Sequence, residues 1–165
     1  MSKKTHTTLF GKLTDNTSSI LRYSDEERTY EIFTPWKNGK SQFTLKRDVD
    51  TVPYDDLTAY ATGVEGDTKH KSGLGRAAGL GILFGGAGAI VGAITGRREY
   101  ERVQQITLAL RTSSGDEYQI PIFYAMKGEK ATSSSITTAL EKLKQIAEKL
   151  EATGASLDEN WTTKI

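Results

Sequence analysis

Polar and apolar residues alternate in short runs over the first sixty or so positions of the chain. Such alternation is typical of β-strands that bury one face and expose the other. Between two of these runs, Lys37-Asn38-Gly39-Lys40 has the composition of a tight turn. The runs predict five strands, namely Thr7–Leu13, Ser18–Tyr23, Thr29–Thr34, Ser41–Lys46 and Leu57–Thr62.

Alternation returns later in the chain, in Val103–Thr112 and again in Glu117–Phe123. The residues between these runs, Ser113-Ser114-Gly115-Asp116, are typical of a tight connection, so the two runs predict a β-hairpin. Pro121 has no N–H group to donate to a neighbouring strand. It therefore indicates that the second strand ends there or lies at a sheet edge.

The period changes at Ser134, after which apolar residues recur every three or four positions, as in an amphipathic helix. Ser133, Ser134 and Ser135 offer N-caps for this helix, and Gly154 offers a stop. We expect its apolar stripe to pack across the sheet; the alternative is a stripe that binds a partner. The stripe consists of Ile136, Ala139, Leu140, Leu143, Ile146, Ala147 and Leu150.

The segment between the two alternating regions is rich in glycine, with nine of the sixteen glycines between Gly73 and Gly96. Ala77–Thr95 contains no charged residue, and its length reaches the roughly 18 residues that a membrane-spanning helix needs. Glycines four residues apart share one helix face and let two backbones approach closely. The expected helix-packing or oligomer interface comprises Gly75, Gly79, Gly81, Gly85, Gly88, Gly92 and Gly96.

If the strands on both sides of this segment belong to one sheet, both of its ends must lie on the same side of a membrane. We therefore predict an inserted helical hairpin with legs Leu74–Phe84 and Ala87–Gly96, turning at Gly85-Gly86. Each leg would reach only about 15–17 Å at 1.5 Å per residue, half a bilayer. A helical hairpin folded onto its own domain is the alternative.

The chemistry of the segment suggests a division of roles. Apolar side chains would face lipid or a partner, and basic residues on both flanks would lie at the level of lipid phosphates. The membrane- or partner-facing set is Leu80, Ile82, Leu83, Phe84, Ile90, Val91 and Ile94. The headgroup set is Lys69, Lys71, Arg76, Arg97, Arg98 and Arg102.

Composition excludes several function classes. A chain of 165 residues with formal charge +1 lacks the basic excess of a general nucleic-acid binder. It has no cysteine, and His6 and His70 have no paired ligand at metal spacing, so no metal site is expected. The glycine pattern of Gly73–Gly79 follows no apolar strand, so no nucleotide cofactor is expected. No catalytic residues are recognised, and we expect that the protein is not an enzyme.

The order of strands, basic-flanked glycine-rich insertion, hairpin and closing helix resembles a bacterial PH-like domain family with a glycine-zipper insertion. The resemblance rests on Val52–Thr62 (VPYDDLTAYAT), Gly73–Arg97 and Ile106–Phe123 (ITLALRTSSGDEYQIPIF). It implies an α+β fold: a mainly antiparallel PH-like sheet or barrel with a C-terminal amphipathic helix. The domain would span 1–155, interrupted by the hairpin at 72–98 and followed by a C-terminal tail at 156–165.

These features lead to two functional hypotheses. The first is a non-catalytic module that associates with membrane lipid, with itself, or with both, through the glycine-zipper hairpin. Because the N-terminal residues lack an apolar leader segment, we expect it in the cytoplasm, at the inner face of the cell membrane. The second hypothesis is a soluble protein- or peptide-binding adaptor that uses the hairpin as a docking arm.

Overall fold

Two β-sheets and one α-helix make up the described part of the protein. The computed structural model describes residues 7–11, 19–34, 36–38, 40–41, 49–68, 82–85 and 100–158. The strands are β1 (Thr7–Gly11), β2 (Ile20–Ser24), β3 (Thr29–Phe33), β4 (Trp36–Lys37), β5 (Lys40–Ser41), β6 (Asp50–Pro53), β7 (Leu57–Thr68), β8 (Ile82–Gly85), β9 (Tyr100–Thr112), β10 (Glu117–Lys130) and β11 (Ser156–Leu157). The helix α1 is Ser134–Ala152, and a 3-10 turn covers Tyr54–Asp56.

The first sheet has the strand order β1-β2-β3-β6 and is antiparallel throughout. Its central hairpin pairs Ile20 with Phe33 and Ser24 with Thr29. In β3 the alternating residues Tyr30 and Ile32 are fully buried, and so is Leu21, the partner of Ile32 on β2. The predicted alternation is therefore confirmed at Tyr30 and Ile32, whereas in β2 the consecutive residues Ile20 and Leu21 are both buried.

The second sheet has the order β11-β7-β9-β10-β4-β5, with β8 also paired to β7. Its centre is formed by the long strands β7, β9 and β10, and the predicted β9–β10 hairpin is confirmed by the pairing of Glu117 with Arg111. β4 and β5 pair with each other on either side of the predicted turn, in which Asn38 has a positive φ of 53°. Most of the predicted strand Ser41–Lys46 lies outside the described residues. β4 pairs with β10 only at Tyr118 and Gln119, so among the described strands Pro121 lies on a part of β10 paired on one side.

Helix α1 closes the core. All seven residues of the predicted apolar stripe are buried, from Ile136 to Leu150, which confirms the helix and its packing face. The Ser133 side chain caps the helix, accepting a hydrogen bond from the Ile136 N–H at 3.3 Å. At the other end, the hydroxyls of Tyr30 and Thr153 lie 2.5 Å apart, which ties the helix to the first sheet.

The predicted fold class is wrong. The described chain is mainly β, in two sheets with a single α-helix, and does not fit a PH-like fold with an inserted helical hairpin. Ile82–Gly85, assigned to the first leg of that hairpin and its turn, is a strand paired with β7. A glycine-rich helix is intrinsically weak, each glycine costing about 1 kcal/mol relative to alanine, whereas the edge of β7 supplies backbone hydrogen bonds. The rest of both legs lies outside the described residues.

Candidate interaction site at the glycine-rich end of the second sheet

The glycine-rich segment, residues 69–99, begins and ends at adjacent positions of the second sheet. Thr68 and Tyr100 form the outermost pair of β7 and β9. Paired residues of antiparallel strands have Cα atoms about 5 Å apart. Both ends of the segment therefore leave the sheet side by side, and the strands on its two sides belong to one sheet.

Close packing of the two strands supports this attachment point. A Cβ atom added to Gly66 would lie 2.2 Å from the carbonyl oxygen of Arg102 and 3.0 Å from the Cα of Val103. The register shifts on either side of this position, between Glu65 and Gly66 and again between Asp67 and Thr68. Only glycine fits where the β9 backbone approaches so closely.

The segment returns to the sheet through β8. Leu83 pairs with Val64 and Phe84 with Gly63, on the side of β7 opposite β9. Farther along the same edge, β11 pairs in parallel with β7, and the Asp158 N–H donates to the Tyr60 carbonyl at 2.9 Å. β8 and β11 thus lie end to end and together provide hydrogen-bond partners for backbone groups along part of the outer edge of β7.

The predicted interaction residues are only partly described. Of the apolar set, Ile82, Leu83 and Phe84 belong to β8, and of the glycine set Gly85 ends that strand. Arg102 lies on β9, and its Nη1 donates to the carbonyl of Gly128 at 3.2 Å. The residues outside the described part are Gly75, Gly79, Gly81, Gly88, Gly92, Gly96, Leu80, Ile90, Val91, Ile94, Lys69, Lys71, Arg76, Arg97 and Arg98.

Strand β10 carries a wide bulge near the same end of the sheet. Tyr124 pairs with Gln105 and Glu129 with Val103, so residues 125–128 stand opposite the single residue Gln104. Gly128 within the bulge has a φ of +71°, a conformation that favours glycine. We call the stretch Tyr124–Gly128 the β10 bulge.

The β10 bulge exposes apolar side chains. Tyr124 is 65% exposed and Met126 is 78% exposed, and these are the exposed large hydrophobic residues among the positions for which exposure is described. Lys127, Lys130 and Arg102 are exposed around them. Sequence analysis missed this surface because the predicted strand stopped at Phe123. An isolated glycine in a continuing strand, Gly128, was the available signal for a bulge.

A polar groove of about 340 Å³ lies near the β9–β10 turn. Its lining includes Lys37, Asp50, Asp116 and Tyr118. One carboxylate oxygen of Asp50 accepts hydrogen bonds from Lys37 Nζ at 2.9 Å and from the Tyr118 hydroxyl at 2.8 Å. The bond to Asp50 raises the pKa of Lys37, and burial, more than that carboxylate, raises the pKa of Tyr118.

Hydrogen bonds in the groove and beside it join separate elements. The side-chain amide of Asn38 donates to Asp116 at 3.1 Å, and the Glu117 N–H donates to Asn38 Oδ1 at 2.7 Å. These contacts fasten the β4–β5 turn to the start of β10. The Lys37–Asp50 bond likewise connects β4 with β6. The polar side chains in and beside the groove therefore hold β4, β6 and the start of β10 together.

No family model, curated protein or solved structure matches the chain significantly. The resemblance to a PH-like family accordingly stays a prediction. Within the described ranges, no helix combines the length and apolarity needed to cross a membrane. In the same ranges, no three histidine or carboxylate side chains are grouped as metal ligands.

Proposed function

We propose that this protein is a non-catalytic module that associates with lipid membranes through its glycine-rich segment, residues 69–99. The pairing of Thr68 with Tyr100 is the observation that carries the proposal. It supports a folded β-rich body in which β7 and β9 end side by side, and the uncharged stretch Ala77–Thr95, which includes β8, lies between these two ends in the sequence. A segment held in this way enters and leaves a membrane on the same side.

Charge and apolarity support lipid as the partner. Lys69, Lys71 and Arg76 precede the uncharged stretch, and Arg97, Arg98 and Arg102 follow it. Near an anionic membrane surface, each basic side chain contributes about 1 kcal/mol of attraction. Basic residues on both flanks are typical of segments whose two ends remain cytoplasmic. The proposal therefore locates the protein in the cytoplasm, at the inner face of the cell membrane.

Contacts with lipid would be made by the part of the segment that β7 does not pair. Ile82–Gly85 has its backbone engaged with Thr62–Glu65. Leu80, Ile90, Val91 and Ile94 lie outside this strand and are the apolar residues proposed to enter the bilayer. Because β8 is held on β7, residues 86–99 would have to enter and leave the bilayer within one short stretch. This stretch is too short to cross a hydrocarbon core of about 30 Å and return, so insertion would be confined to the near leaflet.

Self-association is the second candidate function, favoured by the position of β8. Among the described strands, β8 pairs only with β7, so its other side offers backbone groups that a second copy could pair with. The glycines at 88, 92 and 96 add a stretch with little side-chain bulk, where two chains could approach closely.

The test uses the full-length protein in sedimentation with phosphatidylcholine vesicles, with and without phosphatidylserine. Changing both Ile90 and Ile94 to Asp should weaken binding by about tenfold or more, because a charged side chain is costly to bury in lipid. The control changes Thr138 and Gln145, two exposed residues of α1, to Asp and adds the same charge. It should retain most of the binding.

Light scattering without lipid separates the two candidates. A protein that is monomeric and sediments only with vesicles supports lipid association. A protein that is oligomeric and does not sediment with vesicles supports self-association. Changing Gly88 and Gly92 to Leu should reduce oligomer size but preserve binding to lipid, since leucine adds bulk and apolarity together. A monomer that stays in the supernatant with every vesicle contradicts both candidates and leaves the adaptor hypothesis.

A further inference from the structure

We propose that the β10 bulge, Tyr124–Gly128, is a second lipid-contacting surface that docks onto the headgroup region of an anionic bilayer. The inference rests on the proposed function, since it gives the module a contact with the same membrane that the glycine-rich segment enters. This surface differs from the glycine-rich segment in that all of its residues belong to β10 of the second sheet.

Two apolar side chains of the β10 bulge are exposed to water. Tyr124 and Met126 keep 65% and 78% of their surface in water, whereas neighbouring β10 residues such as Ile120 and Ile122 are buried. A bulge that only protects a sheet edge is better made with charged or small residues. A tyrosine with a polar hydroxyl and a flexible methionine suits the boundary between headgroups and acyl chains.

Basic residues lie close to these two side chains in the sheet. Arg102 pairs with Lys130 across β9 and β10, and the Arg102 guanidinium reaches the carbonyl of Gly128. Lys127 is exposed inside the bulge. Two acidic residues lie beside them: Asp67 pairs with Arg102 from β7, and the Glu129 carboxylate accepts a hydrogen bond from the Ser133 hydroxyl at 2.9 Å.

Among the charged side chains at this end whose exposure is described, the exposed ones are basic, namely Arg102, Lys127 and Lys130, whereas Glu65 and Glu129 are half-buried. Exposed basic side chains beside apolar ones favour an anionic surface over a neutral one.

The β10 bulge lies close to the base of the glycine-rich segment. Arg102, the residue in contact with the bulge, lies two residues along β9 from Tyr100, where the glycine-rich segment ends. Two strand residues span about 7 Å. The bulge and the base of the segment can therefore meet one flat surface together. Two linked contacts bind more tightly than either alone, because the first raises the effective concentration of the second.

A fluorescent label on the bulge tests the inference directly. The chain has no cysteine, so Met126→Cys creates a single labelling position for an environment-sensitive dye. On full-length protein, phosphatidylserine-containing vesicles should shift the emission to the blue, as the dye leaves water. The same dye placed by Gln145→Cys, an exposed position on α1, should not shift.

Substitutions provide a second readout. Lys127→Gln with Lys130→Gln should weaken sedimentation with phosphatidylserine vesicles about fivefold or more, since each lysine contributes about a factor of five near the surface. Lys142→Gln with Lys144→Gln makes the same charge change on α1 and should leave binding nearly unchanged. Circular dichroism of each variant checks that the fold is retained.

The outcomes separate this inference from the proposed function. If wild-type protein binds vesicles but the label at position 126 does not shift, the bulge inference is overturned and the role of the segment stands. If the label shifts and the Ile90→Asp, Ile94→Asp variant binds as well as wild type, the bulge is supported and the role of the segment is overturned. If the dye emission shifts with protein concentration in the absence of lipid, the bulge contacts another copy of the protein and the inference is overturned. If the wild-type protein binds no vesicles at all, both the inference and the proposed function are overturned.

Discussion

The ammonium nitrogen of Lys149, near the end of α1, lies 2.8 Å from Oδ1 of Asp25 in the β2–β3 turn. The same oxygen accepts a hydrogen bond of 2.6 Å from the hydroxyl of Tyr54. Lys149 also lies 4.0 Å from the centre of the Tyr23 ring, and Tyr54 packs on Tyr30 with ring centres 4.8 Å apart. One ion pair thus joins the helix, the first sheet and the 3-10 turn.

This relationship predicts a pH-dependent stability at acid pH. The hydrogen bond from Lys149, followed by that from Tyr54, holds the pKa of Asp25 below its ordinary value of 3.8. A carboxyl group whose pKa is lowered in the folded state stabilises the fold at pH values above its ordinary pKa. This contribution is lost as the pH falls through the lowered pKa. Asp25→Asn should therefore reduce the free energy of unfolding at neutral pH and have little effect under strongly acidic conditions.

A double-mutant cycle with Lys149→Gln checks the origin of the effect. Urea unfolding at a series of pH values should show coupling between the two positions at neutral pH, fading on the acid side. A coupling that persists unchanged in acid would assign the effect to packing instead of charge.

The tyrosines predict a second pH limit, on the alkaline side. Burial, as the largest cause, raises the pKa of Tyr30 from 10.0 to about 12 and also raises the pKa values of Tyr54, Tyr60 and Tyr118. The unfolded chain ionises these groups near pH 10 while the folded chain keeps them protonated. Stability should therefore fall as the pH rises from about 10 towards 12.

Ultraviolet absorbance of the phenolate measures this behaviour. In folded protein, part of the tyrosine absorbance change should be delayed and should coincide with loss of the circular dichroism signal. In urea, all seven tyrosines should titrate together. Identical titration curves for the folded and the urea-unfolded protein would contradict the prediction.

A third prediction concerns the attachment of the glycine-rich segment. Gly66→Ala places a Cβ against the Arg102 carbonyl, so the β7 and β9 backbones must separate there. We expect a loss of roughly 1–3 kcal/mol in the free energy of unfolding, typical of overpacking. Vesicle binding should weaken as well, because the base of the segment is disturbed.

Gly154→Ala separates crowding from backbone strain. An added Cβ there meets nothing within 4 Å, and only the φ of +106° opposes it. A cost of about 1 kcal/mol is expected, with unchanged vesicle binding. If Gly66→Ala costs no more than Gly154→Ala and leaves vesicle binding intact, close approach at residue 66 is not what positions the segment.

The fourth prediction concerns the helix. Leu143 is fully buried in the core, and Leu143→Ala should lower the free energy of unfolding by roughly 2–5 kcal/mol. The neighbouring Lys144 is exposed, and Lys144→Ala should change it by less than about 0.5 kcal/mol. Chemical denaturation measures both. Equal effects would mean that the helix does not bury the face that its sequence presents.

The elements whose pattern is local could be predicted from the sequence. Helix α1 was predictable because its seven apolar residues repeat with the helical period and follow a capping serine, Ser133. The β9–β10 hairpin was predictable because two alternating runs meet at a four-residue turn that includes Gly115. In both cases the partners that satisfy the backbone lie within the same short stretch of chain.

The features that depend on distant strands could not be predicted from any one segment of the chain. Ile82–Gly85 is a short apolar run that suits either a helix or a strand, and the edge of β7 decides in favour of a strand. β11 at Ser156–Leu157 pairs with that edge for the same reason. The β10 bulge needs Arg102 and Gln104 of β9 beside it. Backbone N–H and C=O groups must find partners wherever the fold provides them, and residue periodicity within one segment carries no information about which distant edge remains unpaired.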